Sequence, residues 1–454
     1  MSRALLPILS AGLAIRFLFL WLAGTPEPFA DESNYLTLAL SRLRFGFFPD
    51  SGHFLWPPGY PFVLFHALRE GGADGVGAVR VLQIFASCVV GFHVMRFAEE
   101  LSGIRAARVA GWLWVFAFPL IEFSHVLWPE TLFLAVFITG LRLLIDARGR
   151  SLSFVTAGAL FGLSLLLKES ALYLYIALPF LLFLRHRETV SLPGALTVVL
   201  AATIVVMPWM LRNQEYYGEP GVIGATLGEN MYRRVNANYR NLDYPVEHRL
   251  ALYEANALVH DALVNDERPK WIRYREENVV LKDATNFRLG VAFILDDPVA
   301  FAKGRVKRVA DFFSPHSFFV RHLAMARHER IQSLPVRRTL AGGAILLSLF
   351  TMASAALGFG RLSDRAPART VFVTAILYFA LLVGALGGLT RYRVPIEPIV
   401  IVLAAFAWGG PGGIRASWKC TPLAARVALG VLLALWALNA REWIALLGLM
   451  GGAK

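Results

Sequence analysis

The stretch LLPILSAGLAIRFLFLWLAG, residues 5–24, sets the kind of protein this is, because its only charge is Arg16. An α-helix needs roughly 20 apolar residues to cross the hydrocarbon core of a bilayer. This run meets that need. Only Arg3 precedes it as a charge, and no small-residue cleavage site follows, so it reads as an uncleaved anchor. Arg16 lies well inside it. A centred arginine costs about 2.5–3.5 kcal/mol on insertion scales, so it is expected to face the bundle interior or a polar cavity.

Similar runs recur along the chain. Candidate spans fall at 5–24, 77–97, 107–122, 130–145, 152–167, 171–185, 193–211, 339–360, 369–389, 394–410 and 423–440. The composition agrees: 56% of the 454 residues are hydrophobic and 17% charged, with mean hydropathy +0.54. A soluble domain carries nearer a quarter charged residues. The expected fold class is therefore an all-α polytopic membrane protein of about 11 transmembrane helices with an outer-face loop domain. Residues 1–211 form an N-terminal transmembrane module, 212–338 an outer-face loop region, and 339–454 the C-terminal helices. Cys88 and Cys420 lie far apart, one in an apolar run and one in a basic loop, which excludes a disulfide framework. The net charge of +13 follows from the positive-inside bias and needs no nucleic-acid partner.

Basic residues in the short loops orient the chain. With the N-terminus in the cytoplasm, the cytoplasmic loops hold Arg105 and Arg108, Arg148 and Arg150, Arg185 and Arg187, Arg361, Arg365 and Arg369, and Arg415 and Lys419. The opposite short loops hold only Lys168, then Arg391 and Arg393. Two long segments, 25–76 and 212–338, then fall outside.

The first of these contains PEPFADESNYLTLALSRLRFGFFPDSGHFLWPPGYPFVLFHAL, residues 26–68. Tyr35, Leu36, Leu38, Ala39 and Leu43 recur at helical spacing behind Asp31 and Glu32, which predicts a helix along the membrane surface. Asp31 and Glu32 read equally as first-turn capping acids and as site acids. A second surface helix is expected from WPPGYP. Other polar residues reach the same face. Glu130 follows Pro129 at a span start, a position that ordinary capping also explains. Lys168 and Glu169 share a tight hairpin and are suited to pairing with each other. Arg212 closes PWMLRN, while Arg391 and Arg393 lie in LTRYRVPIEP, where snorkelling is the plainer reading.

Taken in order, these elements resemble the C-type membrane glycosyltransferases, in the branch of protein O-mannosyltransferases and the lipid A aminoarabinose transferase. The resemblance runs through Arg16, the Asp31–Glu32 pair with Tyr35, PPGYP, WPETLF, LLKES, PWMLRN and RYRVPIEP. Residues 215–335 have no counterpart in it. It implies a transferase that takes one sugar from a polyprenyl-phosphate donor and places it on a lipid, glycan or protein acceptor at the outer face. It implies a bacterial inner-membrane protein with a site facing the periplasm or exterior, surrounded by membrane lipids. No cofactor and no metal site are expected. Sugar transfer passes through an oxocarbenium-like state, and a phosphate leaving group calls for cations rather than a proton donor. Lys168, Arg212, Arg391, Arg393 and Arg16 are the implied phosphate ligands. Asp31 is the implied base for a single inverting displacement, with Glu32 and Glu130 as supporting acids. Tyr35, Tyr60 and Tyr392 are expected to line the substrate cavity.

The segment 212–338 carries two stretches with helical spacing, VEHRLALYEANALVHDALV and DPVAFAKGRVKRVADFF. In the second, Phe301, Val306, Val309 and Phe312 mark one apolar side. His260, His316, His322 and His328 show no metal-ligand spacing and read as surface residues. A transporter or flippase of a polyprenyl-linked lipid is the rival function, since such proteins also place charges in spans. They commonly carry internal repeats, and none is evident here. A non-catalytic polyprenyl-binding partner is the third class, and would have no use for Asp31.

Overall fold

Helix α1 is Leu6–Ala23, entered through a 3-10 turn at Arg3–Leu5. The structure, a computed structural model, describes residues 3–46, 55–218, 223–228, 279–362, 366–384, 390–410, 412–420 and 423–449. After α1 come α2 (Asp31–Phe45), α3 (Gly59–Gly71), α4 (Gly75–Ser102), α5 (Ile104–Val115), α6 (Phe118–Phe123) and α7 (Glu130–Ile145). Helices α8 (Ser151–Leu167), α9 (Leu172–Arg185) and α10 (Leu192–Tyr217) complete the N-terminal part. Then follow α11 (Val279–Asp296), α12 (Pro298–Phe312), α13 (Phe318–Ala324), α14 (Leu334–Phe359) and α15 (Pro367–Leu377). A π-helical stretch, Tyr378–Gly384, and a 3-10 stretch, Thr390–Ile396, lead to α16 (Glu397–Gly409), α17 (Gly413–Cys420) and α18 (Leu423–Leu449). The described residues contain no strand beyond one isolated bridge between Leu55 and Ala225.

Five described helices are long and apolar enough to cross a membrane: Arg3–Ala23, the Gly59–Ser102 run, Leu192–Tyr217, Leu334–Phe359 and Thr390–Gly409. Their surroundings differ. Only 28% of the apolar window in the first is buried in protein, against 89% in the last. Helix α16 is thus a central strut, while α1 turns apolar side chains outward. Large exposed side chains such as Leu152, Leu200, Ile204, Leu346 and Leu438 form a surface that water does not tolerate but lipid does. The protein is an all-helical integral membrane protein.

Local chemistry sets the boundaries. Ser191 caps α10 by accepting from the Gly194 amide at 3.2 Å, and Asp297 caps α12 by accepting from Ala300 at 2.8 Å. Gly46 and Gly218 close α2 and α10 in the left-handed conformation. The expected span 107–122 is broken into α5 and α6. Pro119 has no amide hydrogen for the Val115 carbonyl and its ring crowds that carbonyl, so α5 stops at Val115. Helices form at both places expected in the first loop, as α2 and α3, and in α2 Tyr35, Leu38 and Ala39 are buried while Leu43 is 38% exposed. In α12 Phe312 is buried but Val306 is 54% exposed, so the apolar side does not pack as one face. The helical spacing at 246–264 and His260 lie outside the described residues.

Backbones meet closely at glycine. A Cβ on Gly158 would stand 2.3 Å from the Val198 carbonyl oxygen, and one on Gly162 2.6 Å from that of Ala202. This small-xxx-small pair lets α8 lie directly on α10. Gly12 and Gly91 make the notch that takes the Trp114 ring between α1, α4 and α5. Packed this way, the start of α2, the start of α7, the α8–α9 turn and the 3-10 stretch before α16 converge at one end of the bundle.

Candidate functional site

Asp31 is the first residue of α2, and the chain enters it under strain: Ala30 has φ 53°. A non-glycine residue there costs on the order of 1–3 kcal/mol and persists only where surroundings hold it. The hold is visible. Glu32 accepts from the Phe29 amide at 3.1 Å and from the Leu127 amide at 2.9 Å, and pairs with Arg327 at 3.1 Å. Ser33 Oγ donates to the Pro28 carbonyl at 3.0 Å. Glu32 therefore fixes the turn that presents Asp31 and itself points away from it.

Arg391 is the hub of the site. From the 3-10 stretch it donates through Nη1 to Asp31 and through Nε to Glu130, and its guanidinium lies 4.0 Å from the centre of the Trp128 ring. Lys168, at the end of α8, donates to the same Glu130 oxygen at 2.6 Å. Two acids and two cations from four separate elements thus share one cluster. The Glu130 side chain is 1% exposed and that of Asp31 27%, so Glu130 is the buried organiser and Asp31 the accessible acid. Burial draws Lys168 below its ordinary pKa, and the adjacent Glu130 opposes that shift. Of the five N–H donors of Arg391, Nη1 and Nε use two on these acids. Both cations thus have donors beyond these bonds, and the second Glu130 oxygen is buried without a hydrogen-bond partner among the described residues.

Aromatic groups wall the cluster. Tyr35, one turn after Asp31, lies 5.0 Å from Trp56 and 5.1 Å from Tyr60, centre to centre. Tyr60 donates to Gln83 at 2.7 Å, and Gln83 in turn donates to the Val126 carbonyl at 2.9 Å, tying the wall to the segment that carries Trp128. The Lys168 ammonium lies 5.6 Å from the centre of the Tyr392 ring.

Three expected phosphate ligands are not brought to this cluster. Arg16 faces the bundle interior, as its depth required, but its donors go to Ser87 at 2.7 Å and the Gly12 carbonyl at 3.0 Å, with Trp114 stacked 4.1 Å away. Arg393 is buried and bonds Glu397 at 2.7 Å and the Phe312 and Ser314 carbonyls at 3.0 and 2.6 Å. It clamps α12 to α16. A 3-10 turn separates neighbours two apart by about 240°, so Arg391 and Arg393 leave the chain in different directions. Arg212 packs over Trp209 and Tyr216 at 4.7 and 4.1 Å on the end of α10.

The neighbours Lys168 and Glu169 do not pair. Lys168 turns to Glu130, while Glu169 accepts from the Thr226 hydroxyl, and burial pushes the Glu169 carboxyl up to about 7. The reading of His322 and His328 as surface residues is also corrected: both are buried. His322 bonds Glu122 at 2.5 Å and His328 bonds its other oxygen at 3.1 Å, locking α13 and the turn after it onto α6. Nothing in local spacing signals this, because Glu122 stands 200 residues before His322. No group of His, Cys, Asp and Glu among the described residues is arranged to hold a metal ion.

Residues 57–211 match the family described as dolichyl-phosphate-mannose-protein mannosyltransferase, a stretch that includes Glu130 and Lys168 but neither Asp31 nor Arg391. Among solved structures, the oligosaccharyltransferase AglB from the archaeon Archaeoglobus fulgidus, in complex with an inhibitory peptide and a dolichol-phosphate, is similar over 97% of this chain. The identity is 13%, the TM-score 0.51, and the match takes in 56% of that chain, so this protein spans little more than half its length. ArnT from Cupriavidus metallidurans, bound to undecaprenyl phosphate, is similar over 89% of this chain and 77% of its own at 14% identity, with TM-score 0.38. No curated protein sequence matches the chain. The chain shares the fold of AglB, and residues 57–211 match the mannosyltransferase family, in line with what the sequence resemblance implied.

Proposed function

We propose that this protein is a glycosyltransferase that moves a sugar from a polyprenyl-phosphate donor to a lipid, glycan or protein acceptor at the outer face of a bacterial inner membrane, by a single inverting displacement. One observation carries the reading: Arg391 binds Asp31 and Glu130 together, beside Lys168. The family matched by residues 57–211 and the polyprenyl phosphates bound to AglB and ArnT support the same donor chemistry.

The reaction breaks the bond between the anomeric carbon and the donor phosphate oxygen and forms one from that carbon to the acceptor oxygen. Negative charge grows on the departing phosphate. Arg391 and Lys168 supply charge-assisted hydrogen bonds where it grows, so they stabilise the transition state more than the ground state. Without ligand the two cations are balanced by two carboxylates. A bound phosphate draws Arg391 toward itself and loosens its hold on Asp31. The freed carboxylate then takes the proton of the acceptor oxygen, on the face of the sugar opposite the phosphate. Glu130, buried and shared by both cations, stays in place and keeps them oriented. Donor binding in this way switches the base on.

Transfer of radiolabelled sugar from a panel of polyprenyl-phosphate sugars by the purified protein in lipid tests the proposal. Label in an acceptor, lost with Asp31→Asn, is the expected result. Binding of every donor without turnover, or translocation without bond cleavage, overturns it in favour of a carrier.

A further inference from the structure

A second charged cavity, of about 720 Å³, lies between the C-terminal end of α9 and the start of α15, lined by Arg185, His186, Arg369, Thr370, Phe359 and Val373. It is remote from the Arg391 cluster. Lys168 and Glu169 stand before the first turn of α9 and Arg185 ends it, and a 14-residue helix is about 21 Å long. The two sites therefore sit at opposite ends of the same helix. The sugar-transfer chemistry has no use for this cavity.

We propose that it holds the phosphate headgroup of an anionic membrane phospholipid. Its walls are built in two parts. Arg185 is exposed at its rim, and Arg369, fixed by a bond to the Leu362 carbonyl at 2.7 Å, presents a second cation. Buried His186 bonds the Thr370 hydroxyl at 2.9 Å and so joins α9 to α15 behind them. Glu188 also lines the cavity, 74% exposed and 3.8 Å from His186 Nδ1, so the lining sets one acid against two arginines. Phe359 and Val373 supply the apolar part of the wall. Leu184 and Leu192 flank the loop beside it, 62% and 44% exposed, so apolar surface that suits lipid adjoins the cavity. Two arginines and a hydroxyl above an apolar wall suit a headgroup with attached acyl chains better than a free anion. Basic pockets between helix ends are the usual seats of such headgroups.

Native mass spectrometry of the purified protein exchanged into detergent with dioleoyl phosphatidylglycerol or dioleoyl phosphatidylcholine reads the occupancy. Retention of phosphatidylglycerol over phosphatidylcholine is expected, falling about fivefold with each of Arg185→Gln and Arg369→Gln. Arg185 is exposed, so its variant is expected to fold, and an unchanged melting temperature checks that. Equal retention of the two lipids, or retention unmoved by Arg185→Gln, overturns the proposal. A parallel arm with glycerol phosphate separates the sources. If the water-soluble phosphate displaces the lipid at equal concentration, the cavity is a site for a free phosphate and the lipid assignment fails.

Discussion

At the scale of single residues the site separates groups that look interchangeable in the chain. Arg391 and Arg393 lie two apart, yet one faces two site acids and the other is a buried clamp. Arg391→Ala is expected to weaken donor binding by at least tenfold and to lower the melting temperature moderately, since Glu130 keeps Lys168 while Asp31 loses its partner, whereas Arg393→Ala leaves Glu397 unpaired in the interior and costs about 3–5 kcal/mol of stability. Thermal unfolding and donor titration on both variants check the pair. For Asp31→Asn, asparagine keeps the shape and an oxygen that accepts from Arg391 but cannot take a proton. Transfer is expected to drop about 10²–10⁴-fold with donor affinity retained, and near-native turnover would remove Asp31 from the mechanism. Glu169 makes a pH prediction. Its carboxyl is raised by burial to about 7, above the unfolded value. Below the ordinary carboxylate range both states hold the proton and nothing is lost. Between that range and pH 7 the unfolded chain releases it first, so stability falls as pH rises. Glu169→Gln removes that penalty, so it should raise the melting temperature at pH 8 and leave it nearly unchanged at pH 4; the reverse order would refute the assignment.

Elements decide how rigidly these residues are held. Helix α2 carries Asp31 on a strained entry turn, and Glu32 is what secures that turn to Leu127 and Arg327. Glu32→Ala is expected to lower turnover without abolishing donor binding, and to increase proteolysis near residue 30, because the Phe29 and Leu127 amides lose their acceptor and Arg327 is left with the Glu27 carbonyl and the Phe29 ring. Protection at native levels would show that the turn holds itself. The α8–α10 pair rests on Gly158 and Gly162, where added atoms meet backbone carbonyls rather than movable side chains. Gly162→Leu should therefore separate the helices, cost more than the about 1–3 kcal/mol of ordinary overpacking, and shift Lys168 off Glu130. A monodisperse, active variant would contradict that close contact. The helices α2 and α12 were readable from spacing and α3 from its proline-rich start, but the apolar side read in α12 does not pack as one face. The break between α5 and α6 was readable too, in Pro119, but was overlooked by a span drawn on hydropathy.

For the whole molecule, orientation is the testable property. The loop charges predict that Arg148 lies on the cytoplasmic side and the Asp31 end outside. In a background lacking Cys88 and Cys420, Glu27→Cys should react with an impermeant thiol reagent from outside intact cells, and Arg148→Cys only after the membrane is opened. Labelling of position 148 from outside would invert the orientation and move the proposed reaction to the other face. Both positions are exposed on the protein, so access through the membrane is the quantity read.

Composition and periodicity by themselves determined that this chain is a helical membrane protein, because the bilayer demands long apolar runs and leaves no other way to pair the backbone. The family resemblance and the scarcity of charge marked Asp31, Glu32, Glu130, Lys168, Arg212, Arg391, Arg393 and Arg16 alike as candidates. Tertiary structure alone decided which of them meet. Arg391 touches Asp31 from 360 residues away, and His322 touches Glu122 from 200. Spacing along a helix constrains neighbours three or four apart, but it carries no information about which side chains the packing of distant helices brings within hydrogen-bond reach. That is why Arg16, Arg212 and Arg393 read like Arg391 in the sequence and differ from it in the fold.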